Sequence, residues 1–140
     1  MLQVTLHWGH RGLAWLIVVG LAAEVYLAGA PLFRATTFEA HRSLGSTLGI
    51  AILVLLAVGL VARSGRRIVG LSTLLVALTI IQVLLPSLRS VLPWVAALHA
   101  LNAVVLIGVA ASIAIALGTG VQHRQSMIAP VISPSSAQAR

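Results

Sequence analysis

Charged residues in this chain fall in narrow intervals, and between them the sequence stays apolar for the length of a membrane crossing. Residues 12 to 33 carry one charge, Glu24, and residues 68 to 88 carry none. Phe38 to Ala62 holds Glu39, His41 and Arg42 at its start and no ionisable group after them, and Pro93 to Leu117 holds only His99. A helix needs about 20 mainly apolar residues to cross the hydrocarbon core. The pattern therefore predicts an all-α, integral membrane four-transmembrane-helix bundle with spans at about 12–33, 38–62, 68–88 and 93–117. Pro93 suits a first helical turn. The joining loops are short, so neighbouring helices are expected to run antiparallel. Residues 1–120 form the transmembrane domain in this reading, and 121–140, ending PVISPSSAQAR, form a flexible polar C-terminal tail.

Composition removes the soluble alternatives. Hydrophobic residues make up 59% of the 140 positions and charged residues 8%, where soluble domains carry about 25%. The absence of cysteine excludes disulfides, thiolate metal sites and cysteine nucleophiles. A net charge of +7 with only two acids would suggest nucleic acid in a soluble protein. Here the arginines lie between apolar runs and read as topology signals and lipid-headgroup contacts, with no nucleic-acid partner. No basic region followed by a small-residue cleavage site opens the chain, so no cleaved signal peptide is expected. Arg11, Arg63, Arg66, Arg67 and Arg124 fall on one side of the predicted membrane, and Arg34, Arg42 and Arg89 on the other. The excess predicts both termini in the cytoplasm and a multi-pass protein of a bacterial inner (cytoplasmic) membrane.

A shift of 58 residues reveals a weak internal repeat. Gly12 falls on Gly70, Leu16 on Leu74, Val25 on Val83, Glu24 on Gln82 and His41 on His99. Apolar matches are cheap in so hydrophobic a chain; the Glu-on-Gln and His-on-His matches are not. The repeat predicts two helical hairpins in a parallel pseudo-repeat about an axis along the membrane normal. The second and fourth helices become equivalent, and His41 and His99 face each other at similar depth.

Two imidazoles on opposing helices of a bundle suit the axial positions of a haem iron. Gly45 and Gly49 follow His41 at one and two turns and leave room for a flat macrocycle; after His99 the same places hold Ala103 and Ile107. Haem propionates need cations, and Arg42, Arg34 and Arg89 are the arginines on that side. The sequence thus predicts haem b bound by His41 and His99, with Arg42, Arg34, Arg89 and Gly45 around it, in electron transfer or haem handling. A bare metal site is disfavoured, because two imidazoles rarely suffice.

The stretch FEAHRSLG, with E-x-H-R at Glu39 to Arg42, and the second histidine in LHALNA resemble one half of haem A synthase. They also resemble a group of small uncharacterised bacterial four-helix membrane proteins with patterns such as YLAG and FEAHRSLG. The resemblance spans roughly residues 12 to 118, its specific part being His41–Arg42 and His99. It implies two histidine ligands per four-helix unit. The chain departs from haem A synthase in being half its usual length and in placing Glu39 two residues before the histidine instead of three, which rotates the carboxylate by about 100° on a helix. A looser likeness to the haem-carrying anchors of succinate dehydrogenases, which also follow His-Arg with a small residue, suggests quinone contact by analogy.

Glu24 is the one acid deep in a span. It reads either as a proton or quinone site together with Gln82 and Asn102, or as a carboxyl bonded to a neighbouring helix, for instance to Gln82. Glu39 is expected to pair with Arg34 or Arg42 at the surface. His7 and His10, one turn apart around Trp8, and His123 read as interfacial residues in preference to a second haem or metal site. The competing functional class is a cofactor-free accessory or scaffold subunit of a larger membrane complex. A channel or transporter would need oligomers, such as a homodimer, to build a polar path.

Overall fold

A computed structural model describes the backbone of residues 2–128 and the side chains of residues 5–119. It is an all-α bundle of four helices: α1 (Leu2–Gly29), α2 (Phe38–Val61), α3 (Arg66–Leu84) and α4 (Pro93–Ile128). All four are long and apolar enough to cross a membrane, over Thr5–Phe33, Phe38–Val61, Arg66–Leu88 and Pro93–Thr119. The outward faces carry Leu16, Val19, Leu53, Ile80, Val104 and Ile115 in the open. A lipid bilayer is the solvent that tolerates such a surface.

The helices form a ring. α1 packs on α2 and α4, and α3 packs on the same two, so α2 and α4 stand diagonally opposed. Inward positions recur every three or four residues: Ala14, Ile17 and Leu21 on α1; Leu48, Ile52 and Leu55 on α2; Leu106, Ala110, Ile113 and Leu117 on α4. α3 contributes Ile68 and Leu75 and the small Ser72 between them. Gly20 lets α1 lie directly on α2, since a Cβ there would fall 2.5 Å from Leu48 Cδ2. Several hydroxyls on the helices are satisfied locally, while the buried Ser72 hydroxyl finds no partner among the described residues. Thr47, Thr73, Thr79 and Ser112 each donate to the carbonyl one turn back, which removes an unpaired donor from an apolar setting.

The two hairpins repeat in their backbone. Each first helix ends in a four-residue 3-10 turn with proline second, Ala30–Phe33 and Leu85–Leu88. The next helix begins after residues 34–37 and 89–92 respectively. Pro31 matches Pro86, Arg34 matches Arg89 and Phe38 matches Pro93, an offset of 55 residues rather than the 58 that aligns the histidines. His99 thus lies one helical turn further into α4 than His41 does into α2. Proline explains both turns: it lacks the N–H that would continue the α-helical ladder.

Two boundaries differ from the sequence reading. α1 begins near the N-terminus and carries His7, His10 and Arg11 as helical residues instead of a flank. α4 continues to Ile128, through part of the segment predicted as tail, because no proline interrupts it before Pro130. Residues 129–140, the rest of that predicted tail, lie outside the described residues, as does the side chain of His123.

Candidate functional site

At the end of the bundle that carries the 3-10 turns, the core gives way to a cavity of about 740 Å³. Leu21, Leu48, Ile52 and Leu106 of the core line it, and Gly45, Gly49 and Ala103 supply the small positions. Exposed Ile50, Leu53, Ile80 and Val83 belong to the same lining, so the cavity opens sideways between α2 and α3, toward lipid. Its polar lining gathers at the level of Glu24, His41, Arg42, Gln82 and His99. The size lies within the range of about 300–1,000 Å³ usual for small-molecule and cofactor sites.

His41 and His99 meet there across the diagonal, as the repeat predicts. Their ring centroids are 6.2 Å apart and the ring planes stand 78° to each other. Each ring is held through Nδ1 by its own hairpin. His41 Nδ1 pairs with Glu24 Oε2, and His99 Nδ1 donates to the backbone carbonyl of Gln82 at 2.9 Å. The two contacts join residues of equal separation, so the shared spacing in the repeat is a contact within each hairpin. Glu24 therefore bonds to a neighbouring helix, one of the two readings the sequence left open, with His41 as its partner in place of Gln82.

Backbone carbonyls, which only accept, fix the polar network on α3 and α4. Asn102 Nδ2 donates to Leu78 O at 2.9 Å and to Gln82 Oε1 at 2.7 Å. This leaves the Gln82 amide nitrogen facing His99 Nε2 at 3.3 Å. Since His99 Nδ1–H donates to a carbonyl, Nε2 holds the lone pair and receives the amide proton. Among the described residues His41 Nε2 has no hydrogen-bond partner. Both imidazoles thus turn Nδ1 to a carboxylate or carbonyl, the outer-shell arrangement that orients metal-bound histidine.

Two imidazoles at the head of an apolar cavity are donor types that a haem iron would take, with His41 and His99 as the residues that would hold it; their rings stand edge to face, and His99 Nε2 is turned to the Gln82 amide. A bare ion fits poorly: among the described residues no group of three His, Cys, Asp or Glu is placed to hold one. A Cβ built on Gly45 would stand 3.7 Å from Glu24 Oε1, a buried oxygen that makes no hydrogen bond.

The arginines separate. Arg42 lines the cavity. Arg34 and Arg89 are exposed in the loops beyond the 3-10 turns and do not line it. They are equivalent in the backbone repeat, each closing its 3-10 turn, Arg34 in a left-handed conformation with φ 58°. Glu39 is exposed in the first turn of α2, where Thr37 Oγ1 accepts its backbone N–H at 3.4 Å. It pairs with neither Arg34 nor Arg42; among the described residues the one ion pair is Glu24–His41. An acid suits the positive end of a helix without a partner.

At the opposite end, His10 is fully buried, contrary to the interfacial reading. Its Nδ1 lies 3.2 Å from Ser64 Oγ, and its Nε2 is unpartnered. Gly59 makes the space, since a Cβ there would lie 3.3 Å from His10 Cε1. Arg11 lies over the Trp8 ring at 5.6 Å and packs against Gly118. Neither contact has a local signal in the sequence, because each depends on which glycine of a distant helix stands opposite.

Fold and site together define a multi-pass four-helix membrane protein with a laterally open cavity headed by two tethered histidines. Residues 24–89 match a family of unknown function, DUF6220. The matched segment contains Glu24, His41, Arg42, Gly45 and Gln82 and ends before His99 and Asn102. Nothing in the match connects the chain to haem A synthase. No curated protein and no solved structure matches the chain.

Proposed function

We propose that this protein binds haem b between His41 and His99 and serves in electron transfer or haem handling within the membrane. The observation that carries this reading is the pair of Nδ1-anchored imidazoles, 6.2 Å apart, at the head of a preformed apolar cavity. Haem held by two imidazoles supplies reversible one-electron chemistry. The chain's part is to orient both rings, exclude water with Leu21, Leu48, Ile52 and Leu106, and offer Arg42 to a propionate. The sideways opening favours an electron partner dissolved in the bilayer, for which a quinone is the natural class. The arginine distribution supports an inner-membrane location with both termini cytoplasmic.

A cofactor-free scaffold subunit, alone or as a homodimer, is the competing reading. It gives no reason for a cavity of this size at the histidines. An absorption spectrum of the detergent-purified protein, oxidised and then dithionite-reduced, separates the two. The haem reading expects sharp reduced bands that are lost in His41→Ala and altered or lost in His99→Ala. A colourless protein that stays colourless when haem is supplied leaves the scaffold reading.

A further inference from the structure

The two histidines are not equivalent as ligands, and this inference rests on the haem reading above. Among the described residues His41 Nε2 has no hydrogen-bond partner, whereas His99 Nε2 is capped by the Gln82 amide at 3.3 Å. That amide is itself held in place, because its oxygen accepts from Asn102 at 2.7 Å and Asn102 is anchored on Leu78 O at 2.9 Å. We propose that Gln82, braced by Asn102, is a positioning residue that masks His99 in the unloaded protein, so that haem is taken first by His41 and only then by His99.

The chemistry of the network carries this. The anchor of His99, the Gln82 backbone carbonyl, does not depend on the Gln82 side chain. The cap does. Rotation of the amide away from Nε2 therefore frees the lone pair without releasing the ring. The apolar lining leaves the part-buried Nε2 few other donors, and the cap satisfies it. His41 and His99 are both partly exposed and both line the cavity; the difference between them is the cap, which His41 lacks among the described residues. Asn102 lines a separate groove of about 230 Å³ between α3 and α4, so the brace lies outside the haem cavity and would not touch the ligand.

The test is rapid mixing of the haem-free protein in detergent with haemin, followed by absorbance. The wild type should show a high-spin signal that converts to low-spin in a second, slower phase. Gln82→Met, which keeps the length but has no donor, should accelerate the second phase about fivefold and leave the first unchanged. Asn102→Leu, which releases the brace alone, should accelerate it less. His99→Ala should retain the first phase and lose the second. A single phase, or a second phase indifferent to Gln82→Met, overturns the ordered uptake while leaving haem binding standing. No absorbance change with the wild type removes both. Nitrogen NMR of the haem-free protein gives an independent reading. His99 should be protonated at Nδ1 only, with the Nε2 resonance moving when Gln82 is replaced; a proton found on Nε2 overturns the cap.

Discussion

Replacing Glu24 tests the proposed haem site through the group that orients His41. Glu24 is 8% exposed and lies on α1, while the ring it orients lies on α2. His41 Nδ1 is itself buried, and its polar contact is that carboxylate. Glu24→Leu leaves this nitrogen without an acceptor. A buried, unsatisfied polar group costs about 1–3 kcal/mol, and the lower end applies here because the imidazole has an escape: it can move its proton to the more accessible Nε2. That escape is what matters for function, since a protonated Nε2 has no lone pair for iron. Loss of an outer-shell partner of a metal-bound histidine typically costs 10–100-fold in affinity. We predict a fall of about tenfold or more in haem affinity for Glu24→Leu. Glu24→Gln, whose carbonyl still accepts from Nδ1–H, should stay within a few-fold. The assay is absorbance titration of the haem-free protein with haemin at fixed pH, with circular dichroism to verify equal helix content. Equal affinities for the leucine and glutamine variants would refute the argument that Glu24 acts by setting the tautomer of His41.

Further outcomes follow from the packing. Gly49 lines the cavity and has no atom within 4 Å of a Cβ built on it, so Gly49→Leu should fill the cavity and abolish haem uptake while the helix signal in circular dichroism is retained. Arg42→Ala should weaken haem binding several-fold, whereas Arg34→Ala and Arg89→Ala, outside the cavity, should leave the same titration unchanged. Gly20→Ala forces Leu48 to move, and overpacking by one methyl outweighs the helix-propensity gain to give a net loss of about 1 kcal/mol, read from unfolding in mixed micelles.

How much of this was legible in the sequence depended on the range of the signal. The four spans are written in the gaps between charges, which is a local property, and they are observed with small shifts. The meeting of His41 and His99 was legible through the repeat, since equivalent helices of a four-membered ring stand diagonally opposed. The partners of those histidines were harder. Glu24 over Gln82 suggested a pair across the bundle, yet each instead serves the histidine of its own hairpin. The repeat aligns residues that do the same job, and residues with the same job do not touch. His10 was misread because its charge-rich surroundings look interfacial, while its burial is decided by Gly59 on α2. α4 runs past the point where the composition turns polar, because polar residues do not by themselves end a helix.

The mismatch between the 55-residue backbone offset and the 58-residue histidine offset has a consequence for what the site can recognise. Two identical hairpins about a two-fold axis would present a planar guest with two indistinguishable faces, and the guest would sit in either of two orientations with equal weight. Moving one histidine a single turn along its helix, and giving one hairpin a carboxylate where the other has an amide, removes that degeneracy. The scaffold keeps the economy of a duplicated fold, while a planar guest bound at the proposed site would meet two different faces.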